Sequence, residues 1–300
     1  MPDTQCLPNA APREPPPFYA RAGRVRERYR RPHKVGRVTD ALAQIANLPG
    51  VPDAVADARS AVDRLLGHRI LRRRSAEVST ESALRGARAS AVLEGASVTL
   101  EDLRTTENPT DPVVQGALRV SAELGTLAET WRQAPRQVLA RLHVLAAADA
   151  VDSADLGRPR SDDHPVKDVL GLGEPPSAAE VAARLDALSG LLTQPTKAPA
   201  LVVAAIVHGE LLTLRTFGWG DGIIARGAQR LTLVARGLDP KSLVAPEVGH
   251  AELAGDYAEA LRAYASGTPE GVAQWVGHCS AAVAAAARDS QAICEAFMRG

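Results

Sequence analysis

Three hundred residues, 45% of them hydrophobic, suffice for one large domain or two ordinary ones with a real core. Only 3% are aromatic, so the apolar volume is mostly Ala, Leu and Val, which suits closely spaced helices and gives weak strand signals. Lys and Arg number 35, as do Asp and Glu, and this zero net charge argues against bulk electrostatic capture of nucleic acid or of an anionic membrane. Cys6, Cys279 and Cys294 are odd in number and widely or poorly spaced, so neither a disulfide framework nor a metal site is expected. The polar, Pro-rich N-terminus lacks the apolar centre of a signal peptide, and the longest apolar run, around Ala198 to Val207, is too short to span a bilayer. A cytoplasmic protein is expected.

Residues 1–17 carry six prolines and read as a disordered tail. Residues 18–79 read as an N-terminal helical extension and 80–300 as the main domain. Arg21 to Lys34 is locally basic and reads as a solvated arm. Val55, Ala58, Val62, Leu65 and Leu66 predict a helix over Pro52 to Leu71. Another is predicted over Thr80 to Leu93, with Gly95 in the C-cap role. Thr99 with Asp102 three residues on marks a capped short helix, and Pro112 opens one reaching about Arg132. Arg136 to Ala148 repeats the apolar spacing. Gly157 to Gly173 is rich in Pro and Gly and is a candidate small β-hairpin. Ser177 with Glu180 reads as a capping box for Ala178 to Leu192. Ala198 to Leu214 is strongly apolar, a glycine-rich turn follows, and Ile223 to Arg236 is helical again. Helices at Asp256 to Ala265 and Pro269 to Met298 complete an all-α chain with at most one hairpin.

Helix, glycine-rich loop, helix is a natural anion site, since N–H groups at a helix start point at a ligand and glycines let it come close. The loop Arg215-Thr216-Phe217-Gly218-Trp219-Gly220-Asp221-Gly222-Ile223-Ile224-Ala225-Arg226 resembles the signature of the Fic (Fido) family, His-Pro-Phe-x-Asp/Glu-Gly-Asn-Gly-Arg-x-x-Arg. Ala204 to Leu211 resembles the helix entering that loop, and Leu231 to Pro240 the helix and turn leaving it. Gly157 to Arg160 and Gly173 to Pro176 resemble the flanks of the family's substrate-docking flap. Ser90-Ala91-Val92-Leu93-Glu94-Gly95 is similar to its inhibitory motif, Ser/Thr-x-x-x-Glu-Gly/Asn. The resemblance covers about residues 80–290. It implies a mainly α-helical fold, with ATP or another nucleotide as the ligand to consider.

In the family the loop histidine deprotonates a target hydroxyl, which attacks the nucleotide's α-phosphate. Here the matching residue is Arg215, which offers no acceptor lone pair and cannot act as a base. Trp219 stands at the Mg²⁺-ligand position, Asp221 at the asparagine and Ile223 at the first arginine. Phe217, Gly220, Gly222 and Arg226 match the pattern. Asp221 reads as an N-cap first, with a catalytic or metal carboxylate and an exposed loop charge as alternatives. Arg226 has two readings, a pair with Glu94 as the resemblance implies or, with Arg215, an anion clamp. Candidate anion-binding residues are therefore Arg215, Gly220, Gly222 and Arg226, and candidate regulatory residues are Ser90, Glu94 and Gly95. His208 reads as a core histidine, and His143, His164, His250 and His278 show no metal spacing. Three functions compete: a catalytically inactive scaffold with a protein partner, a divergent AMP-transferase with Asp221 as its acid/base group, and an anion or nucleotide binder. Self-association is compatible with each.

Overall fold

The computed structural model describes residues 40–166 and 168–299, so the expected tail at 1–17 and basic arm at 21–34 lie outside the described residues. Twelve helices follow in chain order among the described residues: α1 (Ala41–Ile45), α2 (Val51–Leu66), α3 (Leu71–Leu93), α4 (Leu100–Thr105), α5 (Pro112–Gln133), α6 (Pro135–Ala147), α7 (Ala178–Thr193), α8 (Ala200–Leu214), α9 (Asp221–Ala235), α10 (Pro246–Glu252), α11 (Ala254–Ala265) and α12 (Pro269–Arg299). None is long and apolar enough to cross a membrane.

Helix α8 is central. Every residue from Leu201 to Leu214 is buried, as expected of a helix that is apolar on all sides. It packs on α9, α11 and α12, while α5 covers the other side of α9 and α2 lies along α12. Two devices hold polar groups inside this core. Glu210 on α8 is fully buried, where the Arg184 guanidinium donates to it at 2.9 and 3.2 Å and the Tyr264 hydroxyl at 2.6 Å. Trp275 on α12 donates its indole N–H to the Ala205 carbonyl at 2.8 Å, filling the space left by Gly209.

The helix starts follow local capping chemistry. Thr99 and Asp102 form the expected reciprocal box before α4, and the Asp111 carboxylate accepts the first N–H groups of α5 at Val113 and Val114. Ser177 accepts from the Glu180 N–H at 3.3 Å, while the Glu180 carboxylate lies 3.5 Å from Arg184.

Two expectations need correction. Helix α3 begins before Thr80: a short first stretch from Leu71 meets the long one across a kink at Arg74 (φ −125°, ψ 26°), and both Leu71 and Val78 are buried. The hairpin expected over Gly157 to Gly173 is not seen: the described residues of that segment form turns, bends and irregular chain without strands. Its ladder donors are taken or missing. The Asp168 carboxylate accepts the N–H groups of Leu172 and Gly173 at 2.8 Å each, Pro159 and Pro165 have none, and Gly171 and Gly173 adopt positive φ.

Candidate functional site

The α8–α9 turn forms the floor of a cavity of about 220 Å³. Leu93 and Glu94 from the end of α3, Val113 from α5, Tyr257 from α11, and Val166, Asp168 to Leu170 and Leu172 from the 157–173 segment close it. The loop is rigidly held. Arg215 ends α8 in the left-handed region at φ 46°, which costs a non-glycine residue about 1 kcal/mol. Arg160, itself buried, clamps both residues that follow α8: its Nε donates to the Arg215 carbonyl and its backbone N–H to the Thr216 carbonyl, each at 2.9 Å. Phe217 stacks on His143 with ring centres 4.2 Å apart, and His143 Nδ1 accepts the Gly157 N–H at 2.9 Å. The His143 ring is neutral because burial pushes its pKa down to about 4.

Asp221 differs from the expected N-cap. Gly220 is the N-cap of α9, in the left-handed region at φ 69° and with no side-chain capping bond. Asp221 is the first helical residue and points back into the loop, where its oxygens accept the N–H groups of Phe217 at 2.9 Å and Gly218 at 2.8 Å. It braces the loop and does not cap the N–H groups at the start of α9. Burial raises its pKa to about 7 against the opposing pull of those two N–H bonds, and the nearby Glu94 charge adds to the rise. A carboxyl with a raised folded pKa holds its proton better folded than unfolded. Its contribution is fully present below about pH 4 and lost as pH rises toward 7. Asp221→Asn should therefore gain stability on wild type by about 3 kcal/mol between pH 4 and pH 7. Urea unfolding at both pH values measures this, and parallel curves for the two proteins would contradict it. His143 has the opposite sign, its contribution being lost as pH falls from about 6.5 to about 4.

Arg226, only 1% exposed, sends its guanidinium to the end of α3. Nη2 donates to Glu94 Oε1 at 2.8 Å and to the Ser90 carbonyl at 3.0 Å, and Nε donates to Ser90 Oγ at 3.0 Å. Glu94 lies over Gly222, where an added Cβ would come within 1.9 Å of its carboxylate. Ser90, Glu94, Gly222 and Arg226 thus meet at one point. Gly95 follows the helix end with φ 96°, beyond the contact.

Arg215 stands apart from this pair. It is 7% exposed, yet its Nε and Nη1 have no hydrogen-bond partner, and the nearest carboxylate oxygen, on Asp168, is 3.7 Å from Nη1. Burial lowers its pKa, with Asp168 opposing, but a guanidinium remains charged at neutral pH. Both arginines line the cavity, but Arg226 is engaged with Ser90 and Glu94, whereas Arg215 keeps open donors. Trp219 lines the cavity with a ring, and Ile223, 2% exposed, lines it with an aliphatic chain. Neither offers an oxygen to a metal.

Sequence reading passed over Arg160, His143, Asp168 and Tyr257 as parts of this site. Only Arg160, the last residue of the Gly157 to Arg160 run already singled out, carried a usable signal. The other three gain meaning from contacts made across helices.

No family model matches the sequence, and no curated protein matches it. Solved structures do match. A Fic family protein from Desulfovibrio desulfuricans G20 superposes with a TM-score of 0.63 at 21% identity, over 80% of this chain and 74% of that one. A Fic domain containing signaling protein from Bacteroides thetaiotaomicron VPI-5482 gives 0.61 at 16% identity, over 81% of this chain and 98% of that one. Fic-1 from C. elegans gives 0.60 at 16% identity, over 82% and 73%. The helices that build the cavity, in this order and with this loop between the two central ones, make the all-helical Fic (Fido) fold.

Proposed function

We propose that this Fic-fold protein does not transfer nucleotides and works as a scaffold with a regulatory or protein-interaction role. The reading is carried by Arg215. At the C-cap of α8, where the resemblance puts the family's base, stands a buried guanidinium that has only protons to donate. The rest of the cavity agrees with it. Glu94, Asp168 and Asp221 crowd it with carboxyl groups, which oppose a polyphosphate, and Trp219 and Ile223 present no metal ligand or phosphate donor. Incubation with labelled ATP and Mg²⁺ or Mn²⁺ should leave both the protein and candidate partners unlabelled. Glu94→Gly, which clears the space above Gly222, should be equally silent. Label appearing on any protein in either case would overturn the reading.

A second reading, binding of a small anion, has its own support in the unpartnered Nε and Nη1 of Arg215. A buried charged donor without a full partner is costly, and a carboxylate, phosphate or sulfate would relieve it. At a hundredfold excess over Kd such a ligand adds about 2.7 kcal/mol of stability. A melting series with phosphate, sulfate and nucleotides should therefore show a shift that Arg215→Gln abolishes. A flat series in wild type removes this reading and leaves the scaffold.

A further inference from the structure

Below the cavity lies a second cluster of reactive side chains that the loop does not use. His208 on α8, His250 on α10 and Cys279 on α12 are fully or almost fully buried, and one ligand-type atom from each lies within 4.8 Å of the other two. We propose that these three residues form an internal N₂S site for a thiophilic monovalent cation, copper(I).

Three observations carry this. First, each imidazole has one nitrogen held by a neutral partner, as metal-binding histidines usually do. His208 Nε2 is 2.8 Å from the Tyr257 hydroxyl, and His250 Nε2 is 2.8 Å from Gln229 Oε1. Because that amide oxygen only accepts, His250 Nε2 carries the ring proton and Nδ1 keeps the lone pair. Second, Nδ1 of His208 is buried and makes no hydrogen bond of good geometry, although the Gln229 side chain lies within reach of the ring. An unsatisfied polar atom at the centre of a core calls for a ligand. Third, the charge balance selects the ion. Two neutral imidazoles, one thiolate and a monovalent cation sum to zero, whereas a divalent ion leaves a buried positive charge near Arg226, whose field already acts on both rings.

Thiolate and imidazole together favour copper(I) over harder cations. In trigonal coordination the donor atoms stand roughly 3.5–3.8 Å apart, taking metal–ligand distances of about 2.0–2.3 Å. The helices therefore need to close by about 1 Å from the observed spread. His278 lies at the edge of the core, 3.1 Å from His250 Nδ1, and must give up that contact for the metal to take the lone pair. On binding, the Cys279 thiol loses its proton to solvent and the metal–sulfur bond replaces the S–H bond, with no change of oxidation state. Sequence spacing hides the cluster, because its members come from three helices.

The test uses the full chain with Cys6→Ser and Cys294→Ser, so that Cys279 is its only thiol. Under reducing, oxygen-free conditions this protein should take one equivalent of copper(I) from a chromogenic chelator. It should bind zinc(II) much more weakly. Adding Cys279→Ser or His250→Gln should each weaken copper(I) binding by a hundredfold or more, and Tyr257→Phe by about 10–100-fold. Circular dichroism identifies the variants that remain folded, and two independent ligand variants keep the test decisive. Failure to compete with the chelator, equal affinity for zinc(II), or full binding by a folded Cys279→Ser variant would each overturn the proposal. None of these outcomes bears on nucleotide transfer or on Arg215.

Discussion

Glu94→Ala should destabilise the protein by about 3 kcal/mol, more than almost any other single change of a partly exposed residue. The cause lies in what remains behind. Arg226 is 1% exposed and cannot follow its lost partner to water. It would be left with the hydroxyl and carbonyl of Ser90 and the neutral phenol of Tyr257 around a full positive charge. Arg226→Met is expected to cost less, because the Glu94 side chain is 22% exposed and can rehydrate once freed. The double variant should recover about 2 kcal/mol of the summed losses, since it strands no charge. Chemical unfolding of the four proteins gives the coupling directly. A coupling energy below about 0.5 kcal/mol would mean that the contact contributes no more than a surface ion pair.

That pair was legible in the sequence because both halves sit in recognisable motifs, Ser90 to Gly95 and the loop ending at Arg226. The α8–loop–α9 arrangement was legible for a different reason. An unbroken apolar run from Leu201 to Val207, closed by a cluster of glycines, has few other ways to fold. The cap at Thr99 was readable because its chemistry is confined to four residues. Contacts between distant segments were not readable. Asp168 carried no signal of its own, and only the fold sets it against Arg215 while spending its oxygens on Leu172 and Gly173. Asp221 was misjudged by a single position. With Gly220 as the cap its side chain faces the loop, and a one-residue shift in the helix start separates a cap from a brace.

Glycines show the same limit, and they yield the other large effect. Gly249→Ala should destabilise by about 3 kcal/mol, while Gly277→Ala should stabilise by roughly 0.5–1 kcal/mol. Both residues are helical and neither has a positive φ, so propensity alone predicts a gain for each. Their surroundings differ. A Cβ on Gly249 would sit 1.9 Å from the carbonyl oxygen of Ala282, and the obstacle is backbone, which no rotamer change can move. Helix α10 would have to lift away from α12, opening the core around His250 and Trp275. At Gly277 nothing lies within 4 Å of the added carbon, so only the reduced freedom of the unfolded chain counts. Thermal unfolding of the two variants decides the matter by sign. If Gly249→Ala melts at or above the wild-type temperature, the close approach of α10 to α12 is wrong, and so is the geometry that brings His250 to His208 and Cys279.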